Sequence, residues 1–277
     1  MRAPPVERLR SRLAVVGAPL CLGVDPHPDA LPEGLPRDVQ GIETFARGIV
    51  EAAAPSAVAV KVNVAFFEAF GAAGWAALER LRADVPAELV LVLDAKRGDI
   101  GTTAERQAAA LFGRLNADGV TLSPYLGEDA IEPFLAFPDR IVYVLARTSN
   151  PSAGVLQDMP VGDGGAAPLY RRVAEWVAGR WPEPRVGLVV GATAPAELAE
   201  LRAAVPGPAF LVPGVGAQGG DLRAAVHACH GERAPGLVNV SRGIAQASSG
   251  ADWRQAAADA ARRWAADMAG VGATLSA

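Results

Sequence analysis

The chain lacks several features that would assign it to a secreted, membrane or nucleic-acid-binding class. Its 277 residues include two cysteines, Cys21 in a predicted strand and Cys229 in a predicted helix, which predict no disulfide framework. Basic residues (26) do not outnumber acidic ones (30), so there is no basic footprint for nucleic acid. No apolar run reaches membrane-spanning length without charges or Gly/Pro breaks. No apolar segment follows the charged residues 1–10 as a secretory signal requires, and we expect a cytoplasmic protein.

What the chain does contain is the composition of a folded domain. Hydrophobic residues make up 51% and charged residues 20% of the sequence, which is typical of a globular protein. The length is normal for one α/β barrel, and no linker or low-complexity tract divides the chain. We therefore predict a single domain over 1–277, with an N-terminal extension at about 1–18. A Gly-, Pro- and Ser-rich loop insertion at about 149–166 is long enough to suggest a functional loop.

Eight apolar runs suited to buried strands alternate with Ala-, Leu-, Arg- and Glu-rich segments suited to helices. The predicted strands are 20–25, 57–63, 89–96, 119–124, 141–148, 185–192, 209–214 and 236–241. The predicted helices are about 42–54, 72–85, 102–115, 129–137, 167–179, 195–205, 220–229 and 252–268. Apolar strands followed by crossover helices indicate a parallel sheet covered by helices, and eight such units match a (β/α)8 barrel. A doubly wound open sheet is the alternative.

The segment Asp94-Ala-Lys-Arg-Gly-Asp-Ile100 places opposite charges at the end of the apolar run 89–93. Asp94 and Lys96 are two residues apart on the predicted strand, so regular alternation should point both side chains to one face, and Asp99 follows in the loop. Buried charges cost several kcal/mol each unless they are paired, so a functional site explains the cluster better than stability does. A surface salt-bridge network is the alternative.

Polar residues also end the other predicted strands, at the edge where a barrel carries its active site. These strand-end residues are Asp25, Lys61, Asn63, Ser123, Ser149 and Asn150. Independent surface charges would not be expected to gather at one end of so many apolar strands, so we predict a site there.

The last two predicted strands end in the glycine-rich turns 213–220 and 239–243. Glycine lets the backbone approach an anion, and the guanidinium of Arg242 can bind phosphate through several donors. Loops after the seventh and eighth strands are the usual phosphate site of this fold. The sequence therefore predicts a phosphate site there, with Gly216 and Gly243 in its turns.

Other residues that often carry chemistry are less informative. His227, Cys229 and His230 lie on one predicted helix, but their spacing does not place them on one face and no fourth ligand is near. We therefore predict no metal site. The five tryptophans fall in or beside predicted helices, where packing against the barrel explains them.

Together these motifs resemble those of the orotidine 5'-phosphate decarboxylase family, in particular its bacterial long-chain subgroup. The resemblance runs from Leu22-Gly-Val-Asp25 to Ser241-Arg-Gly-Ile244. The segments that carry it are Lys61-Val-Asn63, Ala65-Phe-Phe-Glu68, Asp94 to Thr103, Ser123-Pro-Tyr125, Arg147 to Ser152 and Gly214-Val-Gly-Ala-Gln218. It implies a (β/α)8 enzyme of pyrimidine biosynthesis that converts orotidine 5'-monophosphate to uridine 5'-monophosphate and CO2 without a metal or organic cofactor.

The resemblance also implies roles for individual residues. Lys96 would protonate the ring carbon that loses CO2 and stabilise its developing negative charge, and Asp94 would lie beside the substrate carboxylate. Lys61 is implied as a further catalytic residue, which would keep Asp94 ionised and reach the ribose. The implied substrate-binding residues are Asp25 at the ribose, Asn63, Ser149 at the pyrimidine, and Gln218 and Arg242 at the phosphate. A homodimer is implied as well, in which Asp99, Ile100 and Thr103 reach into the neighbour's site.

Two other functions stay open. A lyase acting on a keto-sugar phosphate shares the Asp-x-Lys-x-x-Asp spacing, but it would need Mg²⁺ and further carboxylates at neighbouring strand ends, where this chain has Lys61 and Asn63. A catalytically silent barrel that senses a nucleotide would be expected to lose Lys96 or Asp94, and both are present.

Overall fold

The computed structural model describes residues 2–162 and 167–273, so the part of the predicted loop insertion at 163–166 lies outside the described residues. Its strands are β1 Leu20–Val24, β2 Ala59–Asn63, β3 Val90–Arg97, β4 Gly119–Leu122, β5 Ile141–Arg147, β6 Pro160–Val161, β7 Ala167–Pro168, β8 Val186–Val190, β9 Phe210–Val212 and β10 Leu237–Val240. Eight of them form a closed parallel barrel in the order β1-β2-β3-β4-β5-β8-β9-β10. The (β/α)8 prediction is confirmed, since an open sheet would not pair β10 with β1.

The helices surround this barrel. They are α1 Pro5–Val16, α2 Val39–Ala53, α3 Ala65–Glu68, α4 Gly71–Asp84, α5 Gly101–Ala108, α6 Glu132–Leu135, α7 Gly154–Gln157, α8 Leu169–Arg180, α9 Pro195–Ala204, α10 Leu222–Cys229, α11 Arg242–Ala245 and α12 Trp253–Ala273. All eight predicted strands and all eight predicted helical segments have a counterpart. In the described ranges, none of these helices is both long and apolar enough to cross a membrane.

Several predicted helix boundaries need correction. The helix predicted at 129–137 is α-helical only over Glu132–Leu135, after a 3-10 turn at Glu128–Ala130. The helices predicted at 42–54 and 252–268 are longer, at Val39–Ala53 and Trp253–Ala273. The helix predicted at 102–115 is α-helical only to Ala108 and continues as a π-helical turn over Ala109–Arg114. The helix predicted from 167 begins at Leu169, because Ala167–Pro168 pairs antiparallel with Pro160–Val161 in a short ribbon outside the barrel. Pro168 has no N–H to give to a helix and is tolerated at its start.

Helix α1 closes the N-terminal end of the barrel, and this element was not predicted. Leu9 is 1% exposed and joins the apolar cluster inside the barrel, where Val6 and Leu13 also pack. Arg8 forms an ion pair with the buried Asp118 and donates hydrogen bonds to the backbone carbonyls of Ala87 and Leu89, both at 2.9 Å. Because this end is closed, a ligand must approach from the C-terminal ends of the strands.

Candidate active site

A cavity of about 380 Å³ lies at the C-terminal ends of the barrel strands, within the size range of small-molecule sites. Nine predicted site residues line it: Asp25, Lys61, Asn63, Asp94, Lys96, Ser149, Asn150, Gln218 and Arg242. They follow or end six different strands, so the barrel closure brings together residues that are far apart in the chain. The cavity also includes an apolar part formed by Leu145, Val189 and Leu211.

One carboxylate at the cavity binds two ammonium groups. Asp94 Oδ2 lies 2.9 Å from Lys61 Nζ, and Asp94 Oδ1 lies 2.6 Å from Lys96 Nζ. Lys61 also lies 4.0 Å from Asp25 Oδ1. Lys61 is 4% exposed, whereas half of the Lys96 side chain is exposed. The array therefore combines a buried lysine that neutralises Asp94 with an accessible lysine that can meet a ligand.

The charges of the array shift the pKa values of its buried members. Burial favours the neutral form of Asp94, but the ammonium groups of Lys61 and Lys96 outweigh it and hold the pKa of this carboxyl well below its usual range. Burial would likewise lower the pKa of Lys61, but Asp25 and Asp94 together raise it above its usual value. Asp94 and Lys61 are therefore ionised at neutral pH.

Lys96 meets Asp94 through a bulge, which corrects the expectation of regular strand alternation. Leu93 lies opposite Val120 of β4, and Arg97 lies opposite Leu122. Strand β3 therefore advances by four residues over a stretch in which β4 advances by two. Within this bulge Lys96 has φ +44°, an unusual conformation for a residue with a side chain. Such backbone strain persists where the surrounding structure holds it, and it clusters at functional sites.

Thr121 holds the bulge against the array, and it was not predicted as a site residue. Its Oγ1 donates to Asp94 Oδ1 at 2.9 Å and accepts from the backbone N–H of Lys96 at 3.0 Å. Thr121 is buried on β4 and lines the cavity. The sequence feature that could have identified Thr121 is a polar residue inside the apolar run 119–122, at a position that faces the barrel interior.

Two buried oxygens at the cavity accept no hydrogen bond from the described residues. These are Asp25 Oδ1 and Asn239 Oδ1. Asn239, which was not predicted as a site residue, donates through Nδ2 to Ser241 Oγ at 3.2 Å. A buried acceptor without a donor is unfavourable, so both oxygens can accept hydroxyl or amine protons from a ligand.

The segment after β5 reaches the cavity with Thr148, Ser149 and Asn150. Gln157 of α7 anchors it: Gln157 Oε1 accepts from the backbone N–H of Thr148 at 2.9 Å, and Gln157 Nε2 donates to Thr148 Oγ1 at 2.8 Å. Arg147 also donates to Gln157 Oε1 at 3.2 Å. The start of the predicted loop insertion is thus tied to the strand that precedes it.

Six predicted site residues do not line the cavity. One of them is Ser123, which is partly buried directly after β4. Asp99, Ile100 and Thr103 are exposed beyond β3, where Asp99 Oδ1 accepts from the backbone N–H of Ile100 at 2.8 Å. Gly216 and Gly243 lie in the two glycine-rich turns beside cavity residues Ala217 and Arg242.

The described residues include no group of three His, Cys, Asp or Glu side chains placed to hold a metal ion. His230 instead accepts a hydrogen bond through Nδ1 from the backbone N–H of Gly236 at 3.2 Å.

The closed barrel, the Lys61–Asp94–Lys96 array and the two glycine-rich turns define an enzyme of the (β/α)8 class with its site at the C-terminal end of the barrel. The sequence model of the orotidine 5'-phosphate decarboxylase / HUMPS family matches residues 18–259. The chain belongs to this family. The resemblance is confirmed, and with it the expectation of a carboxy-lyase.

Individual relatives agree with the family match. The orotidine 5'-phosphate decarboxylase of Roseiflexus castenholzii is 54% identical over 246 residues, which cover 88% of this chain and 89% of the relative. That of Thermomicrobium roseum is 48% identical over 260 residues, covering 93% and 92%. Among solved structures, the Leishmania donovani OMP decarboxylase superposes with a TM-score of 0.79 at 40% identity, covering 94% of this chain and 99% of that one.

Proposed function

We propose that the protein is a cytoplasmic orotidine 5'-monophosphate decarboxylase that forms uridine 5'-monophosphate and CO2 in pyrimidine biosynthesis. The observation that carries the proposal is the shared carboxylate of Asp94, which holds Lys96 Nζ at 2.6 Å beside the cavity while Lys61 binds its other oxygen. The family match and the relatives over most of the chain support the same activity.

The reaction breaks the bond between the ring carbon and the carboxylate, so the electron pair stays on a carbon that has no adjacent carbonyl to accept it. Lys96 would stabilise this carbanion by its positive charge and then give it a proton, which makes the C–H bond of the product. The salt bridge to Asp94 orients the ammonium group of Lys96, and half of the Lys96 side chain remains exposed, so a bound substrate could reach it. The chemistry requires no cofactor.

Asp94 would lie beside the substrate carboxylate and repel it. Two like charges about 4 Å apart repel by about 4 kcal/mol at an effective dielectric constant of 20, which is too little for a reaction this slow. Attraction between Lys96 and the developing carbanion, together with binding energy from the distant phosphate, must contribute much of the remainder. We therefore assign ground-state repulsion a secondary part.

The remaining cavity residues would position the nucleotide. Asp25 and Lys61 would bind the ribose, and Asp25 Oδ1, which accepts no hydrogen bond from the described residues, supports this assignment. Ser149 would contact the pyrimidine, and Asn63, which also lines the cavity, would bind the substrate. Gln218 and Arg242 would bind the phosphate, together with backbone N–H groups of the turns that contain Gly216 and Gly243.

We propose further that the protein acts as a homodimer. Asp99, Ile100 and Thr103 would complete the site of the neighbouring copy, since they are exposed and do not line the cavity of their own chain. The apolar side chains of Ile100 and Tyr125 are exposed on loops after β3 and β4, where an interface would cover them.

A decarboxylation assay on the EDTA-treated protein tests the activity. The absorbance of orotidine 5'-monophosphate should fall with wild-type enzyme and persist with Lys96→Ala, while Glu88→Gln, at an exposed residue outside the site, should retain activity. Dependence on added Mg²⁺ would favour the keto-sugar-phosphate lyase. An unimpaired Lys96→Ala variant would exclude Lys96 as proton donor, and binding of the nucleotide without turnover would favour the sensor.

The lysine content of the chain offers a second arm of the same test. The sequence has two lysines, Lys61 and Lys96, and every other basic side chain apart from histidine is arginine. Because Lys61 is buried and Lys96 is half exposed, an amine-directed reagent should label Lys96 alone among the side chains. Activity should be lost in proportion to that label, and uridine 5'-monophosphate should protect against it.

A further inference from the structure

Helix α12 brings the indole of Trp264 against both glycine-rich turns. A Cβ atom placed on Gly216 would lie 3.3 Å from Trp264 Cζ2, and one placed on Gly243 would lie 3.0 Å from Trp264 Nε1 and 3.2 Å from Cζ2. Trp264 Nε1 also donates to the backbone carbonyl of Gly243 at 3.4 Å, a long hydrogen bond. The same edge of one indole ring therefore contacts both turns.

Strand pairing does not extend to the parts of the turns that this indole contacts. The paired register of β9 and β10 ends at Val212 and Val238, before Gly216 and Gly243 are reached. The first turn folds largely on itself, since the N–H of Gly219 donates to the carbonyl of Gly216 at 2.8 Å. The first turn is also bonded to Ala192 after β8, and no backbone hydrogen bond among the described residues joins it to the second turn. The ring of Trp264 lies against both turns.

Each turn carries a side chain to the cavity next to the glycine that contacts the indole. Gln218 follows Gly216 by two residues, and Arg242 directly precedes Gly243, and both line the cavity. A shift of either glycine would move the adjacent group relative to the other. A displacement of about 1 Å in the groups that position a substrate can lower the rate about 100-fold.

We infer that Trp264 is a positioning residue of the phosphate subsite, which sets the separation of the two turns so that Gln218 and Arg242 converge on one phosphate group. The inference rests on the proposed function and adds a residue to it. It also explains why both positions are glycine, since a methyl group at either would press against the indole. Gly216 has φ +87°, so a side chain there would be strained as well.

Trp253 on the same helix provides a matched control. It is buried, its ring lies 5.2 Å from that of Phe45, and it packs on Gly48 of α2, so it anchors the first turn of α12. Trp264 is eleven residues further along, which places it about 16 Å away along the helix axis. Replacing Trp253 should lower stability without acting on the phosphate turns.

The test compares decarboxylation of orotidine 5'-monophosphate with that of the phosphate-free nucleoside orotidine. With Trp264→Ala, kcat/KM for the phosphorylated substrate should fall by about 10- to 100-fold, chiefly through KM, since the phosphate contacts are displaced. The kcat/KM for orotidine should change by less than about twofold, because that substrate never uses the turns. Trp264→Phe should recover part of the loss, since a smaller ring still lies between the turns.

Trp253→Leu should change kcat/KM by the same factor for both substrates, even if it lowers thermal stability. Equal losses for both substrates with Trp264→Ala would show a general packing role and overturn the inference, as would an unchanged kcat/KM for orotidine 5'-monophosphate.

If the wild-type protein does not decarboxylate orotidine 5'-monophosphate, the proposed function fails by itself. Calorimetric titration of the same variants with uridine 5'-monophosphate and with uridine then decides the inference. Weakened binding of the nucleotide alone supports it, and unchanged binding overturns it.

Discussion

Asp94 is the residue on which the charge balance of the cavity depends, because it neutralises a lysine that is almost fully buried. Its pKa in the folded protein is below its ordinary value of about 4. The folded state thus binds a proton at Asp94 more weakly than the unfolded chain does. The ionised carboxylate therefore stabilises the fold above about pH 4, and this stabilisation is lost as the pH falls through the lowered pKa.

This sign leads to a prediction for Asp94→Asn. At neutral pH the substitution leaves Lys61 buried without its closest counter-charge, so the free energy of unfolding should fall by about 3 kcal/mol. Below about pH 4 the wild-type protein loses the same contribution, and the difference between the two proteins should narrow. Urea unfolding at several pH values measures this difference in the free energy of unfolding. Glu88→Gln is the control, since Glu88 is an exposed carboxylate just before β3. A difference that stays constant with pH would contradict the assignment.

Helix α1 contributes to stability at the end of the barrel that lies away from the site. Leu9 inserts into the apolar cluster inside the barrel, and Arg8 bonds the carbonyl of Leu89 just before β3. Leu9→Ala should therefore lower the free energy of unfolding by about 2 to 5 kcal/mol, as is usual for a buried leucine. The KM for orotidine 5'-monophosphate should not change, because the cavity opens at the opposite end.

Val15 is the control for this prediction, since it lies on the same helix and is 77% exposed. Val15→Ala should leave stability within about 0.5 kcal/mol of wild type. Thermal and chemical unfolding of both variants, with steady-state kinetics, separate the two effects. A Leu9→Ala protein of unchanged stability would mean that α1 does not close the barrel in solution.

The elements differ in how far the sequence could predict them, for physical reasons. Buried parallel strands are apolar on both faces, so β1 to β5 and β8 to β10 appear as continuous apolar runs whose polar ends mark the site. Helix α1 was missed although Pro5 lies at its start and apolar residues recur at 6, 9, 13 and 16 in a helical spacing. The bulge at Lys96 was not visible, because a regular strand and a bulged one share the same apolar pattern. The contact of Trp264 with both turns depends on tertiary packing alone.

At the scale of the whole molecule, the candidate site has two separate parts, which are the cavity and the exposed segment after β3. Lys96 and Asp99 are three residues apart, yet the bulge of β3 points Lys96 into the cavity while Asp99 lies outside it, before α5 begins. One chain thus carries both parts of the predicted Asp-x-Lys-x-x-Asp motif on different surfaces. In the proposed homodimer, each site would combine Lys96 of one copy with Asp99 of the other.

This arrangement predicts complementation between two inactive variants. Lys96→Ala and Asp99→Ala should each lose activity, but a mixed dimer has one site with both defects and one site with neither. After dissociation and random reassociation of equal amounts, half of the dimers are mixed, so activity should return to about a quarter of the wild-type value. The assay follows orotidine 5'-monophosphate, with separately treated variants as controls. If Asp99 acted in its own chain, every site in every dimer would carry one defect, and the mixture would stay inactive.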